Sequence, residues 1–550
     1  MNKILFCLIL LLSLLLRVYG LNMLPPSLNW DEVSLGYNSY SILKTGHDEW
    51  GEFLPLSFRA YGDYKLPGYI YLDVPFIALF GLNEWGVRLP SALLGVGTVL
   101  LIFLIVKKIT GRVELALWGM FLAAILPWLV ILSRIALEAN LALFLTTAAF
   151  YCFLVGISKR PILILCGLFF GLTVFSYNSS RVVTPLLVFI LSVFYWKEVS
   201  TKKNLVYSIV ALTVFLTFFT VALPKALLQD SSARYKWTTI LDEGAINRIN
   251  ELRGISLFPT SVTLVSYNKV TYFIPEFIKN YISHFSPGFL LFEGGSNYQF
   301  SVPGNGLIYP LMVIFIILGV INLVRKKIKL GFIMVLWLLI GILPAAITRD
   351  SPHALRSIMI IPPLIILATL GISYLYDGVP FRSYSLIYWI RSNTKVLSAL
   401  LIGILLINLF SFWQNYSSDY LRKYSWSWQY GYKRVIDFIS KEANDYETIY
   451  FTKKYGEPHE FLLFYLAFDP AKYRSDPNLK RYGKSDWFWV DSFDKFVFLN
   501  DWEVVEKLNA QKSTGKNLLV TSPGNSPGGQ VIKTIDFLDG KRAFDIIELP

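Results

Sequence analysis

Long apolar runs separated by short polar breaks set the rhythm of this chain. Apolar segments lie near 88 to 106, 113 to 132, 139 to 156, 161 to 177, 182 to 196, 205 to 223, 307 to 324, 330 to 347, 356 to 376 and 396 to 413. Each approaches the roughly 20 apolar residues with which a helix crosses hydrocarbon. Another run follows Lys3 and extends to Leu16. Its length also suits the h-region of a secretory signal peptide, but further spanning runs follow throughout, so it reads as a retained first helix with Arg17 near its outer end. The pattern predicts about eleven transmembrane helices.

The polar breaks alternate in character. Lys107, Lys108 and Arg112; Lys159 and Arg160; Lys197, Lys202 and Lys203; Arg325, Lys326, Lys327 and Lys329; and Arg382, Arg391 and Lys395 all fall on one side. The positive-inside rule makes that side cytoplasmic. The other side receives the loop 20 to 87, SRIALEAN (133 to 140), SYNSSR (176 to 181), the loop 224 to 306, TRDSPHALR (348 to 356) and the tail. The stretch 66 to 82 is apolar, but Asp73 and Pro75 interrupt it, and counting it as a span would invert every later basic loop. It is therefore expected to lie at the interface, as is the amphipathic YFIPEFIKNYISHF of the second outer loop.

From Trp413 onward the runs shorten. Alternating stretches (ETIYFT, KFVFLN, NLLVTS) intersperse with helix-like ones (YKRVIDFISKEA, EFLLFYLAF), and an Asp-Gly turn in DFLDGKRAFDIIEL signals a hairpin. The fold class expected is an α-helical polytopic membrane domain over 1–412, with outer loops 20–87 and 224–306, followed by a small extracytoplasmic α/β domain over 413–550. No low-complexity tract or internal repeat stands out.

Composition agrees with a membrane protein: of 550 residues 54% are hydrophobic and only 16% charged. The net charge of +13 comes from the loop clusters, so it reads as a topology signal and not as a nucleic-acid footprint. Cys7, Cys152 and Cys166 all sit inside apolar runs, and the four histidines (His47, His284, His353, His459) lack HExxH spacing. Neither a disulfide framework nor a compact histidine metal site is expected, and no cofactor is indicated.

Candidate chemistry gathers on the outer side. Asp31 and Glu32 lie in LNWDEVSLGY, Lys65 in YGDYKLPGY, Arg134 and Glu138 in SRIALEAN, and His353 and Arg356 in SPHALRS. Arg134 and Glu138, four apart at an expected helix end, would share a face and could simply pair. Acids and cations together suit attack by a hydroxyl on a sugar whose leaving group is a lipid-linked phosphate. A carboxylate accepts the hydroxyl proton, while lysine and arginine stabilise charge growing on the phosphate.

At these residues the chain resembles the GT-C superfamily of integral membrane glycosyltransferases, in particular the protein O-mannosyltransferase and aminoarabinose transferase branch of bacterial envelopes. The resemblance covers roughly 1 to 412. It rests on Arg17 followed by the Asp31-Glu32 pair, on YKLPGYIYL with Lys65 and Pro67, on NEWGVRLPSALLG (83 to 95), on SRIALEAN and on SPHALRS. It implies a polyprenyl-phosphate sugar donor and an inverted product. It implies catalytic roles for Asp31 as base, Glu32 as its assistant and Glu138, and a donor-phosphate site of Lys65, Arg134, His353 and Arg356. Tyr64 stands where the aminoarabinose branch often has an acid, which tells against that branch's metal site. The acceptor, whether protein, lipid or glycan, stays open. So do two rival readings, a lipid-diphosphate glycan ligase or polymerase and a transporter or flippase of lipid-linked sugars. The expected partners are the lipid donor, the acceptor and membrane lipid, with no nucleic acid. The expected place is a bacterial plasma membrane with an extracytoplasmic active site.

Overall fold

The structure, a computed structural model, describes residues 2–225, 238–326, 329–377, 393–442, 445–484, 487–510, 515–525 and 528–549. Lys327, Arg382 and Arg391 of the basic clusters, and 226–237 of the second outer loop, lie outside the described residues. In chain order the first elements are α1 (Asn2–Val18), α2 (Trp30–Thr45), β1 (Phe58–Arg59), β2 (Tyr64–Lys65), α3 (Pro67–Phe80), α4 (Glu84–Thr110), α5 (Val113–Ile125), α6 (Pro127–Ser133), α7 (Glu138–Gly156), α8 (Ile162–Thr173) and α9 (Ser180–Phe194). Helices over Leu205–Lys225, Pro310–Lys326, Lys329–Ala346, Ile361–Asp377 and Thr394–Ser417 follow.

Every apolar run read from the sequence thus falls on a helix, and the chain is an integral membrane protein. The count of eleven spans is not reached by length: among the described residues six helices are long and apolar enough to cross a membrane, or seven if the bent pair α5 and α6 is one span. The shortfall is geometric. At about 1.5 Å per residue, α8 and α9 rise only about 18–23 Å, short of a hydrocarbon core of about 30 Å. The 57° bend between α5 and α6 falls where Leu126 precedes Pro127; its ψ of 118° is the extended conformation that a following proline imposes. The stretch 66 to 82 is helical, as α3, with Pro75 inside it.

Contacts group the chain into two compact units. One holds Met1–Arg17, Leu93–Ser133 and Glu138–Trp413; the other holds Val18–Ala92, Arg134–Leu137 and Gln414–Pro550. The loop 20–87, assigned from the sequence to the transmembrane domain, therefore packs with the C-terminal tail.

Within the first unit, the helices Pro310–Lys326 and Ile361–Asp377 approach backbone to backbone. A Cβ added at Gly319 would strike the carbonyl of Leu367, and one at Gly371 that of Phe315. Small residues at such positions let membrane helices pack closely where burial gives no hydrophobic drive.

In the second unit a seven-stranded mixed sheet has the order β4-β5-β6-β3-β7-β9-β8, with β3 (Thr448–Thr452), β4 (Lys480–Lys484), β5 (Trp487–Phe493), β6 (Phe496–Leu499), β7 (Asn517–Thr521), β8 (Gln530–Asp536) and β9 (Arg542–Leu549). β3 runs parallel to both β6 and β7, and these central strands are apolar and buried. The edges, KRYGK and QVIKTID, are exposed and charged, which discourages pairing with other chains. The hairpin β8–β9 turns at Asp539-Gly540, where Gly540 takes φ +85°. Tyr432 stacks on Phe461 at 4.1 Å, fixing the helices Tyr432–Glu442 and Pro458–Tyr465 beside the sheet.

Candidate functional site

α2 opens with a capping box that sets the acidic pair. Asn29 Oδ1 accepts the Glu32 N–H at 2.9 Å, and Glu32 Oε2 accepts the Asn29 N–H at 3.2 Å. Neighbouring positions on a helix point in different directions, so the two acids have different fates.

Glu32 turns inward and is fully enclosed. Arg88, also enclosed, donates to it through Nε at 2.7 Å and Nη2 at 2.8 Å, and the Ala136 N–H adds a third bond at 3.0 Å. The remaining Arg88 donors meet the carbonyls of Leu21 (3.0 Å), Pro25 (3.0 Å) and Ser27 (2.5 Å). This planar fork on a carboxylate, satisfied all round, knots the 18–28 segment to α4 and to the 134–137 segment. Glu32 is thus occupied by the fold, which does not suit the part of assistant to the base.

Asp31 keeps 33% of its side chain accessible. Its Oδ1 accepts the Tyr61 hydroxyl at 2.6 Å and a short bond from the Lys65 ammonium, which also lies 5.5 Å from the Tyr61 ring. The β1–β2 ladder pairs Phe58 with Lys65 and Arg59 with Tyr64, and it presents the mostly buried Lys65 to α2. Burial, and then the Asp31 charge, hold the Tyr61 phenol well above its ordinary pKa, so it stays a proton donor to the carboxylate.

Arg134 lies near this knot and is enclosed. Its Nε and Nη2 meet the Leu24 carbonyl at 3.1 and 2.8 Å, Nη2 meets the Tyr19 carbonyl at 2.8 Å, and the guanidinium lies 5.8 Å from the Tyr416 ring. Arg134 and Glu138 do not share a helix turn as expected: α6 stops at Ser133 and α7 starts at Glu138.

Glu138, His353 and Arg356 belong to the other unit. Glu138 is half-buried in the first turn of α7, where a negative charge suits the helix dipole. The His353 N–H donates to His284 Nε2 at 3.2 Å, the Arg356 N–H to His353 Nδ1 at 3.3 Å, and Arg356 Nη1 to Thr348 Oγ1 at 2.8 Å. His284 therefore carries its proton on Nδ1, facing the Asn280 carbonyl at 2.8 Å, and burial pushes its pKa down to about 4, which keeps it neutral.

Sequence reasoning missed Tyr61, Arg88 and His284. Arg88 had a signal, since an arginine beside an apolar run is costly unless paired. Tyr61 and His284 had none. Among the described residues no group of three His, Cys, Asp or Glu has the spacing of a metal site.

Residues 7–233 match the family described as dolichyl-phosphate-mannose-protein mannosyltransferase. A putative mannosyltransferase of Bacillus subtilis, YkcB, is 30% identical over 165 residues, which make up 28% of this chain and 23% of the relative. The match thus spans about a quarter of that curated protein. ArnT from Cupriavidus metallidurans in the apo state superposes with a TM-score of 0.54 at 13% identity, covering 100% of this chain and 97% of its own. The same protein bound to undecaprenyl phosphate gives 0.53 at 12% identity, covering 99% and 97%. At these identities the likeness to ArnT is one of fold. The N-terminal part of the chain is thus similar to the dolichyl-phosphate-mannose-protein mannosyltransferase family, and the whole chain shares the fold of ArnT, a likeness that agrees with the GT-C resemblance read from the sequence motifs.

Proposed function

We propose that the protein transfers a sugar, with inversion, from a polyprenyl phosphate to an acceptor hydroxyl on the extracytoplasmic side of the membrane. The observation that carries this reading is the contrast within the acidic pair. Glu32 is enclosed and saturated, whereas Asp31 is accessible, with a lysine and a phenol on one oxygen. Asp31 takes the proton of the attacking hydroxyl as the oxygen–anomeric carbon bond forms and the bond to the lipid phosphate breaks. The electron pair leaves with the phosphate, whose charge Lys65 stabilises. A single displacement by one base opposite the leaving group inverts the anomeric centre, by analogy with glycoside chemistry.

Undecaprenyl phosphate bound to ArnT supports a polyprenyl-phosphate donor. Arg134, surrounded by backbone carbonyls, fits a structural role better than phosphate contact. Glu138, His353 and Arg356 lie in the other unit, and the reading does not rest on them.

The test incubates purified protein with a panel of undecaprenyl-phosphate sugars, with and without chelator, and identifies the released undecaprenyl phosphate. Wild type should release it from one donor, and Asp31→Asn should lower the rate roughly 100- to 10,000-fold while still binding undecaprenyl phosphate. Near-normal turnover by Asp31→Asn would remove Asp31 as the base.

A further inference from the structure

The C-terminal sheet reaches the base through a stack of rings. Tyr61, only 7% exposed, donates to Asp31, and its ring lies 5.9 Å from Trp487 at the start of β5 and 5.6 Å from Trp30, the residue before Asp31. Two glycines make this approach possible. A Cβ at Gly62 would overlap the Trp487 ring, and one at Gly456 would overlap Trp30. The backbone is tied as well, because the Phe488 N–H donates to the Tyr61 carbonyl at 2.5 Å. Trp487 is itself oriented: its Nε1–H donates to Glu457 Oε1 at 3.0 Å.

We propose that Trp487 is a positioning residue for the reaction, acting through Tyr61 to hold the Asp31 carboxylate, and that the α/β domain thereby completes the site. This rests on the reading of Asp31 as base. The two indoles lie tilted against the Tyr61 ring, Trp487 at 35° and Trp30 at 43°, and restrict how it can turn while its hydroxyl donates to one carboxylate oxygen. Without Trp487 the phenol is free to swing, and Asp31 loses a donor that favours its charged form. Removing that donor raises the pH at which the base becomes active. Glu457, the partner of Trp487, faces Lys453 and His459, the latter at 3.5 Å from Oε2. Burial pushes Glu457 up to about 7, so the orienting bond is itself strongest above neutral pH.

The experiment compares full-length wild type, Trp487→Ala, Trp487→Phe, Tyr61→Phe and the Trp487→Ala/Tyr61→Phe double variant. The donor is undecaprenyl-phosphate mannose, or whichever sugar of the panel wild type accepts, and the readout is released undecaprenyl phosphate across pH. Trp487→Ala and Tyr61→Phe should each lower kcat about 10-fold or more, leave binding of undecaprenyl phosphate unchanged and move the acid limb of kcat/KM to higher pH. The double variant should be no worse than Tyr61→Phe alone, because residues acting in series do not add. Trp487→Phe, which keeps a ring, should recover most of the rate. Multiplied losses in the double variant, or an unmoved acid limb in Trp487→Ala, would overturn the proposal. If Trp487→Ala does not fold, the limb and rate of Trp487→Phe and Glu457→Leu decide, since an aromatic ring without its orienting bond should shift the limb partway. Failure of wild type to release undecaprenyl phosphate from any donor, or an active Asp31→Asn, instead defeats the underlying function.

Discussion

Two adjacent acids divide their labour because one helix position faces inward and the next does not. Glu32 meets Arg88 in a dry, bidentate pair, and removing one partner of such a pair strands a buried charge, at a cost of about 3–5 kcal/mol. Arg88→Leu or Glu32→Ala should therefore reduce folded yield and lower Tm in detergent, a stability phenotype. Asp31→Asn should leave Tm near wild type while lowering turnover roughly 100- to 10,000-fold. If Glu32→Ala were fully stable yet inactive, the roles would have to be exchanged. A second residue-scale effect comes from buried acids that titrate late: Glu49 is pushed up to about 8 and Glu457 to about 7, in both cases first by burial. Their unfolded values lie near 4.5, so the folded protein holds more protons between about 4.5 and 7 to 8. Stability should consequently fall as pH rises through that window. Tm measured from pH 5 to 8 should decline in wild type and decline less in a Glu49→Gln/Glu457→Gln variant.

Within each unit, elements pack through residues too small to resist close approach. In the second unit α2 lies against the helix Pro458–Tyr465 at Gly36, where an added Cβ would come within 2.6 Å of both the Phe464 ring and Val87. Gly36→Ala should overpack this crossing and cost about 1–3 kcal/mol, read as a lower Tm together with slower turnover, since α2 carries Asp31. A neutral Gly36→Ala would mean that Phe464 yields more readily than its full burial suggests. In the first unit the Gly319 and Gly371 contacts make the same demand of two membrane helices. Periodicity identified the two membrane helices and the EFLLFYLAF helix, but not α2, which fell within the outer loop 20–87, and it identified none of their partners, because an apolar face has the same appearance whatever covers it.

At the scale of the whole chain, the segment 18–92 depends on residues some 400 positions later. Tyr37 donates to the Phe468 carbonyl at 3.1 Å, Arg474 to the Asp48 carbonyl at 3.0 Å, and Arg481 to the Glu49 carbonyl at 3.0 Å while lying 4.2 Å from the Trp50 ring. Cleavage at an engineered site after Trp413, followed by removal of 414–550, should expose 46–65 to limited proteolysis and end turnover. Persistence of a protected 46–65 segment would show that the loop folds without its C-terminal partners.

The sequence by itself determined the apolar helices, the α/β tail with its central strands and the β8–β9 hairpin, because periodicity, strand alternation and an Asp-Gly turn are local signals. It also singled out Asp31 and Lys65, since charges beside apolar runs are costly enough to stand out. Only the tertiary structure decided that Glu32 belongs to Arg88, that Arg134 meets backbone carbonyls, and that the tail packs with the first outer loop. Those outcomes are set by contacts between residues far apart in the chain. No local pattern encodes which buried charge finds which partner, or that Tyr61 and Trp487 share one stack.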